Sequence, residues 1–590
     1  MEQRVVKKRF EQPYSRIIRW FIAILLVQAS VYSSAESHIL ELDFTEPERD
    51  MAVAMQDLFH RPPSAVKLFL DTPQDGPVRL SLKPYQLFKK SRRTLLDGQA
   101  LTDSELGTPK AYFRGGVEGM NDSFALVSID ADGEASVFVE SPLGQISGDI
   151  ANGVFQTSNN APAARTDASS VSWPNNDVVT LPSISPPEPP SAAKPDAKSL
   201  GAASTTTTQT IEMDVAKGWY GWGRSITVPS GQARVGIMNR GPGVAIVYVS
   251  SDPNFAPANV DHCEFERCFI ENPEPGEYYV SAYKFDNTDA EWIPDLPSQA
   301  SYGFSEELSE GELHVATIAI ELDDALYARL GSLAAVNNYL AQLMAYNSAI
   351  YEEEANTQLQ IGDVILYSSD PYPFTNDSGT RLDAVSDYWR ENGANVDRTL
   401  LMHLSAEVNN GGIASLNSLC SLGGGYSVSG VDGLAPSGEQ NINWDGFVTA
   451  HELGHNFGSP HTHCYAGLEG NSSHIDGCYV DLENPTACHQ GVAALPGLGA
   501  LTGGSPGSQN GTIMSYCHVR DGGLSNIAPT FGLNHPYGVE ADRVSRLMAR
   551  ITSQVATAAP ECLSGFAALP EEEPISSGLP VWLLYQATQQ

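Results

Sequence analysis

His451-Glu452-Leu453-Gly454-His455-Asn456-Phe457-Gly458-Ser459-Pro460-His461 decides the reading of this chain. His451 and His455 stand four residues apart, so on a helix both imidazoles leave one face and can meet one ion. Asp445 is the expected N-cap of that helix, and Phe447, Val448 and Leu453 supply its buried side. Gly458 can take the left-handed conformation that ends a helix and turns the chain back. That turn lets His461 arrive as a third nitrogen donor. Three protein ligands leave a fourth position on zinc open to water, which is the arrangement of a catalytic site. Glu452 lies beside a ligand without being needed as one. It is placed as the base that takes a proton from water and passes it to a leaving amine.

Upstream of this segment the chain alternates in type. Leu313–Leu322 reads as a strand, about Asp324 to Tyr351 as a helix, Gln358–Tyr367 as a strand, Arg381–Glu391 as a helix and Arg398–Leu404 as a strand. The alternation predicts an α/β unit around a mainly parallel, mixed sheet, over about 310–565. Two β-rich units are expected before it. The first covers 36–156, where Ser123–Ile129 and Ala135–Val139 alternate as strands about an Asp130–Gly133 turn. The second covers 211–305, with strands at Val244–Val249 and Tyr278–Ala282, and Cys263 and Cys268 close enough to staple one loop. Between them, 157–210 is rich in Pro, Ser, Thr and Ala and reads as a linker open to proteolysis.

The first 35 residues have the layout of a secretory signal: a basic front, the apolar run Phe21–Val27 and the small residues Ser33-Ser34-Ala35. They carry six basic and two acidic groups, so their removal takes the net charge from −37 to −41. Such acidity excludes a nucleic-acid binder, since nothing would neutralise phosphates, and disfavours anionic lipid surfaces. All eight cysteines lie between Cys263 and Cys562. Their even number fits disulfides in an oxidising compartment. The expectation is a secreted, extracellular, monomeric protein without a stable membrane span. Residues 566–590 read as a C-terminal tail, whose apolar stretch Leu579–Tyr585 reads as a frayed end, with a sorting or surface-attachment tail as the alternative.

HExxHxxGxxH at 451–461 resembles the metzincin metalloproteases, and Thr512-Ile513-Met514-Ser515-Tyr516-Cys517 resembles their methionine turn. The resemblance implies that Met514 floors the histidines and that the Tyr516 hydroxyl can stabilise a tetrahedral oxyanion. Gly412-Ile413-Ala414 followed by Cys420 resembles the reprolysin/ADAM group, in which this edge strand pairs with extended substrate. Thr462 departs from that group, where an Asp usually follows the third histidine. The resemblance implies a Cys420–Cys562 bridge. For the remaining four cysteines the expectation is Cys478–Cys488 and Cys464–Cys517, although four cysteines permit three pairings. It further implies one catalytic Zn²⁺, room for structural Ca²⁺, and protein or peptide substrates.

Phe113-Arg114-Gly115-Gly116-Val117-Glu118-Gly119 resembles a segment of reprolysin propeptides, with a generic β unit as the alternative. Asn272–Val280, with Tyr248-Val249, Cys263 and Cys268, resembles pre-peptidase C-terminal domains. No cysteine precedes Cys263, so latency through a prodomain thiol is excluded and would need a carboxylate or steric cover. Gly503–Gly507 matches GxSxG but lacks the strand and helix that a nucleophile elbow needs. His463, His474, His489 and His518 read as neighbours of the site and not as ligands, and Asn121, Asn376, Asn471 and Asn510 begin glycosylation sequons. Two functions follow: a secreted zinc endopeptidase, or a non-enzymatic adhesion or binding protein on the same scaffold. Glu452 and all three histidines are present, which favours the enzyme.

Overall fold

His314–Leu322 and Thr357–Leu366 are strands covered on both faces, as the inner strands of a parallel sheet are: nearly every residue is buried. They lie at the centre of the sheet that positions the site. The computed structural model describes residues 39–44, 51–72, 76–102, 109–120, 123–141, 144–152, 154–157, 178–179, 198–200, 209–213, 218–219, 224–241, 245–252, 263–264, 266–284, 298–306, 311–434, 443–478 and 509–564. The signal-like front, the GxSxG match, His489, Asn121 and the C-terminal tail lie outside them.

The central sheet has eight strands: β1 (Thr94–Leu96), β2 (Gln99–Ala100), β3 (Val178–Val179), β4 (His314–Leu322), β5 (Thr357–Leu366), β6 (Leu400–Ser405), β7 (Gly412–Ser415) and β8 (Tyr426–Gly430). Their spatial order is β3-β7-β8-β6-β4-β5-β1-β2. β8, β6, β4, β5 and β1 run parallel, while β7 is antiparallel to β8. The helices are α1 (Asp324–Leu330), α2 (Leu333–Glu354), α3 (Ser378–Asn392), α4 (Trp444–Asn456) and α5 (Arg543–Ala558). Ile318, Ile320 and Leu322 face the cluster that holds residues of α2, α4 and α5, while Ala319 faces Leu382, Val385 and Trp389 of α3. Helices on both faces are what a parallel sheet requires.

The single helix expected over 324–351 is two. Gly331 (φ 77°) caps α1, and the Ser332 side chain accepts the Ala335 N–H to start α2. The expected linker contains β3 and a second short strand, Lys198–Leu200.

The first β-rich part is an eight-stranded sheet from Ile39–Asp43 to Val154–Thr157, with the helix Met51–His60 packed in its core. It does not stand apart from the central sheet. Residues 94–100 supply β1 and β2. A register shift between β4 and β5 falls at Gly362-Asp363, and there Asp363 takes the Arg93 backbone N–H at 2.7 Å and its Nε at 2.9 Å. Such a bulge re-aims a side chain, here toward the N-terminal segment. Arg114, from the propeptide-like motif, makes a bidentate ion pair with Glu352 of α2 and lies 4.1 Å over the Tyr85 ring.

The second β-rich part has two five-stranded sheets around one core that includes Ile226, Val235, Val249, Tyr278 and Tyr302. Cys263 and Cys268 face each other across a hairpin, and Cys268 is disulfide-bonded. This sandwich docks on the 417–421 segment. Arg267 donates to the Asn417 carbonyl, Arg240 to the Cys420 carbonyl, and Ser421 Oγ to Glu266. The same segment caps α4: Asn417 N–H bonds the His455 carbonyl at 2.8 Å, and Leu419 N–H the Asn456 carbonyl at 2.9 Å. The Cys420–Cys562 bridge ties it to the residues after α5.

Burial pushes the Glu266 carboxyl from its ordinary value near 4.5 up to about 7, opposed by hydrogen bonds from Ser421 and Asn239 and by the charges of Arg390 and Arg267. The folded state therefore holds this proton more tightly than the unfolded chain does. Its contribution favours folding at low pH and is lost as pH rises from about 4.5 to 7. Glu266→Gln should remove this component. Thermal unfolding from pH 4.5 to 8 should show the variant gaining on wild type as pH rises; parallel curves would contradict the assignment.

Candidate metal centre

All thirteen residues of α4 are buried. Its N-cap is Asn443, whose side chain accepts the Gly446 N–H at 2.8 Å; the expected cap, Asp445, lies inside the first turn. Asp445 serves another contact: it accepts the N–H groups of Asp432 and Leu434 and the Tyr339 hydroxyl, and burial pushes its carboxyl up to about 6. Asn can cap as well as Asp, and Asp445 instead fastens the 432–434 loop to α2.

Ring nitrogens of His451, His455 and His461 all lie within 4.8 Å of one another, and the three residues are buried. Gly458 has φ 98°, and its N–H bonds the His455 carbonyl. The turn there brings His461 to a ring-centroid distance of 4.7 Å from His455. His451 Nδ1 lies 2.6 Å from the Ile513 carbonyl, and His455 Nδ1 lies 2.7 Å from the Ser459 carbonyl. A carbonyl only accepts, so both Nδ1 atoms carry the proton. In the neutral imidazoles both Nε2 atoms are then lone-pair donors, and they face each other at 3.1 Å. Two lone pairs at that distance repel unless a cation lies between them. Backbone carbonyls on the distal nitrogen are the usual support for zinc-binding histidines. The donor set fits Zn²⁺.

The segment 512–516 lies beneath α4. A Cβ on Gly454 would stand 2.5 Å from Met514 Sδ, so the sulfur packs on the helix backbone between the two histidines. The Met514 carbonyl takes the Thr462 N–H at 3.0 Å. Thr462, the departure noted in the sequence, also hydrogen-bonds buried Asp476, so a carboxylate reaches this place from another position. The Tyr516 ring is 4.3 Å from that of His461. His463 stacks on His461 at 5.1 Å, and His518 packs on Phe447 at 4.7 Å.

Gly412 opens β7 against the Glu452 carboxylate. A Cβ there would fall 2.3 Å from Oε1 and 2.6 Å from Cδ. Ala414 and Ile413 continue the strand, with Ile413 opposite Val428 of β8. Asn456 Nδ2 binds the Ser415 and Tyr426 carbonyls, tying the end of α4 to β7 and β8. Asparagine at 456 carries no distinctive sequence signal, because it matters only through partners far along the chain, and the contact of Gly412 with Glu452 is hidden for the same reason.

The expected pairings Cys478–Cys488 and Cys464–Cys517 are not formed. Cys478 pairs with Cys517 at S–S 2.04 Å, and Cys464 is also disulfide-bonded. Asp476 explains the register: it accepts the Cys478 N–H at 3.0 Å and turns that residue inward under the 515–517 turn. Both cysteines of the Asp476, Cys478, Cys517 cluster are thus oxidised and unavailable to an ion. The Asp323, Asp370, Glu407 cluster is filled by the Arg381 guanidinium, paired with Asp370 and Glu407, which leaves no calcium cradle there. Asn510 is buried, which removes it as a glycan acceptor.

Residues 313–522 match the family model Reprolysin_5, Metallo-peptidase family M12. Over that stretch the chain is similar to the reprolysin-like M12 metallopeptidases, and the match implies a zinc peptidase. No curated protein matches the chain. Among solved structures, metalloproteinase-II from Bacteroides fragilis is 9% identical, covering 72% of this chain and 89% of its own, with a TM-score of 0.29. A periplasmic inhibitor of g-type lysozyme, PliG from Aeromonas hydrophila, is 14% identical over 19% of this chain and 100% of its own, at 0.15. A chaperone–substrate complex is 10% identical over 84% and 75%, at 0.23. Likenesses at these scores carry no argument. Among the described residues no helix is long and apolar enough to cross a membrane.

Purified protein should contain about one zinc per chain. His455→Ala should lower that content to near zero, measured by elemental analysis after desalting; full zinc in the variant would remove His455 from the ligand set.

Proposed function

We propose that the chain is a secreted zinc endopeptidase that hydrolyses extracellular proteins or peptides. The observation that carries this reading is the convergence of three buried imidazoles with two Nδ1 atoms held by carbonyls, beside Glu452 at the start of β7. His451, His455 and His461 would hold the ion. Bound zinc supplies Lewis-acid polarisation of a water and of the scissile carbonyl.

Glu452 takes the proton of the attacking water and delivers it to the leaving amine. The Gly412 backbone abuts the carboxylate from one side, which restricts its rotamers. The Tyr516 hydroxyl is assigned to the developing oxyanion, with the ring placed by His461 and Met514 forming the floor below. Gly412, Ile413 and Ala414 pair with the substrate backbone by strand addition. The disulfides support export, being favoured in oxidising compartments. Residues 1–35 are assigned as the signal, and the 157–210 segment as the site of maturation. Adhesion without catalysis is disfavoured, because such a protein has no use for an intact base beside an intact donor set.

Glu452→Gln should retain zinc and lose about 10²–10⁴ in kcat on a quenched fluorescent peptide. Gly412→Ala should also retain zinc and lower kcat, because its methyl displaces the same carboxylate. Wild-type rates in Glu452→Gln would overturn the mechanism. N-terminal sequencing of secreted protein should find a mature start within or just after 157–210. A start at Glu36 with full activity and no shorter form would exclude a removable N-terminal unit.

A further inference from the structure

The sandwich touches the catalytic body at the end of α5 and at the 417–421 segment, and both places lead to the turn that delivers His461. The first route is apolar. Two sandwich strands sit on the last turn of α5 by means of glycines. A Cβ on Gly236, in Arg234–Asn239, would stand 3.0 Å from that of Ala558, and one on Gly303, in Ser298–Ser305, would stand 2.0 Å from the Thr557 carbonyl oxygen. Met238 and Phe269 of the sandwich are buried in one cluster with Ile551, Val555 and Ala558 of α5. Ile551 in turn packs on the turn after α4, where a Cβ on Gly458 would fall 2.2 Å from its Cδ1.

The second route is polar. Asn417 (φ 57°) and Cys420 (φ 66°) are both left-handed. Residues other than glycine seldom take that conformation, and they keep it only where their neighbours impose it. On the catalytic side the segment is held by its amides: those of Asn417, Ser418 and Leu419 donate to the His455 and Asn456 carbonyls. On the sandwich side it is held by its carbonyls: that of Asn417 accepts from Arg267, and that of Cys420 from Arg240. Arg267 is only 2% exposed, and burying a guanidinium is costly. Asn417 Oδ1 would lie 2.9 Å from a Cβ on Gly458. One residue thus receives Arg267, caps the end of α4 and abuts the Gly458 turn.

We propose that the sandwich is a permanent working part of the metal centre, with Arg267 as its positioning residue. This rests on the assignment of His455 and His461 as ligands. Arg267 acts through Asn417. Without the guanidinium the Asn417 carbonyl loses a charge-assisted donor, and the left-handed residue relaxes toward a more populated conformation. Its bond to the His455 carbonyl and its packing on Gly458 are then lost together. His455 and His461 sit on either side of that turn, so their relative placement loosens and the ion is held less tightly. The consequence for maturation is definite. A form that starts after the 157–210 segment keeps the sandwich and a well-formed site, whereas one that starts at β4 binds zinc weakly.

The test uses the full chain carrying Glu452→Gln, so that no readout needs catalysis. Zinc affinity is measured by competition with a chromophoric chelator, and hydrogen exchange is followed at the amides of 455–459 in metal-free protein. Arg267→Ala should weaken zinc binding about tenfold or more and speed exchange at 455–459. Arg267→Lys keeps a cationic donor and should recover most of both. Gly303→Ala, whose methyl forces the sandwich off Thr557, should act in the same direction as Arg267→Ala. Val247→Ala, in the sandwich core, controls for stability: it should lower the Tm and leave both readouts at parent values. Parent-like zinc affinity and exchange in Arg267→Ala, or an equal loss in Val247→Ala, would overturn the proposal. A parent that binds no zinc would instead remove the peptidase reading, and exchange at 455–459 would still decide whether the sandwich holds the turn.

Discussion

Two hydrogen bonds from imidazole Nδ1 atoms to backbone carbonyls set the chemistry of this protein. His451 gives its proton to the Ile513 carbonyl and His455 to that of Ser459, so both rings turn basic nitrogens to one point. The carbonyls come from different places. One lies in the turn above Met514, and the other in the turn that Gly458 opens after α4. Anything that displaces either turn rotates an imidazole and loses the convergence. This is why Thr462 is fastened to Met514, why Cys478–Cys517 closes the lower turn, and why Met514 is wedged against Gly454.

The same requirement reaches outward. The end of α4 is held by Asn456 and by the 417–419 amides, and the sandwich grips that 417–421 segment from outside through Arg267, Arg240 and Glu266. At the far edge, β1 and β2 extend the sheet, and Arg93 and Arg114 lock the N-terminal part to β5 and α2. Phe124, Leu126 and Phe138 from the first sheet and Met238 and Phe269 from the sandwich share one buried cluster with the helices around the site. The catalytic body is thus completed by segments on either side of the central chain, and a linker strand closes its remaining edge.

Much of this was legible in local patterns. The 451–461 spacing, Gly458 and the alternation of strands and helices from 313 to 404 are short-range signals, and the elements fall within a few residues of expectation. The helix break at Gly331-Ser332 was readable too, since a glycine followed by a serine cap is a local stop and start, but apolar periodicity on both sides masked it. What stayed hidden depends on distant partners. Asp445 was the expected cap, and the move to Asn443 turned on the 432–434 loop and Tyr339, which take up the Asp445 carboxylate. The disulfide register turned on Asp476. The linker composition predicted exposure, yet two valines suffice for a ladder when an edge strand lies within reach. Arg114 was visible as a motif residue, but its partner Glu352 lies in another part of the chain.

Zinc titration of metal-stripped protein against a peptidase assay tests the central claim most directly. The account predicts that activity on an extended peptide is absent without metal, rises linearly with added zinc and reaches its plateau at about one equivalent per chain. A plateau reached without zinc, or no peptide cleavage at saturating zinc by protein freed of residues 1–210, would contradict it.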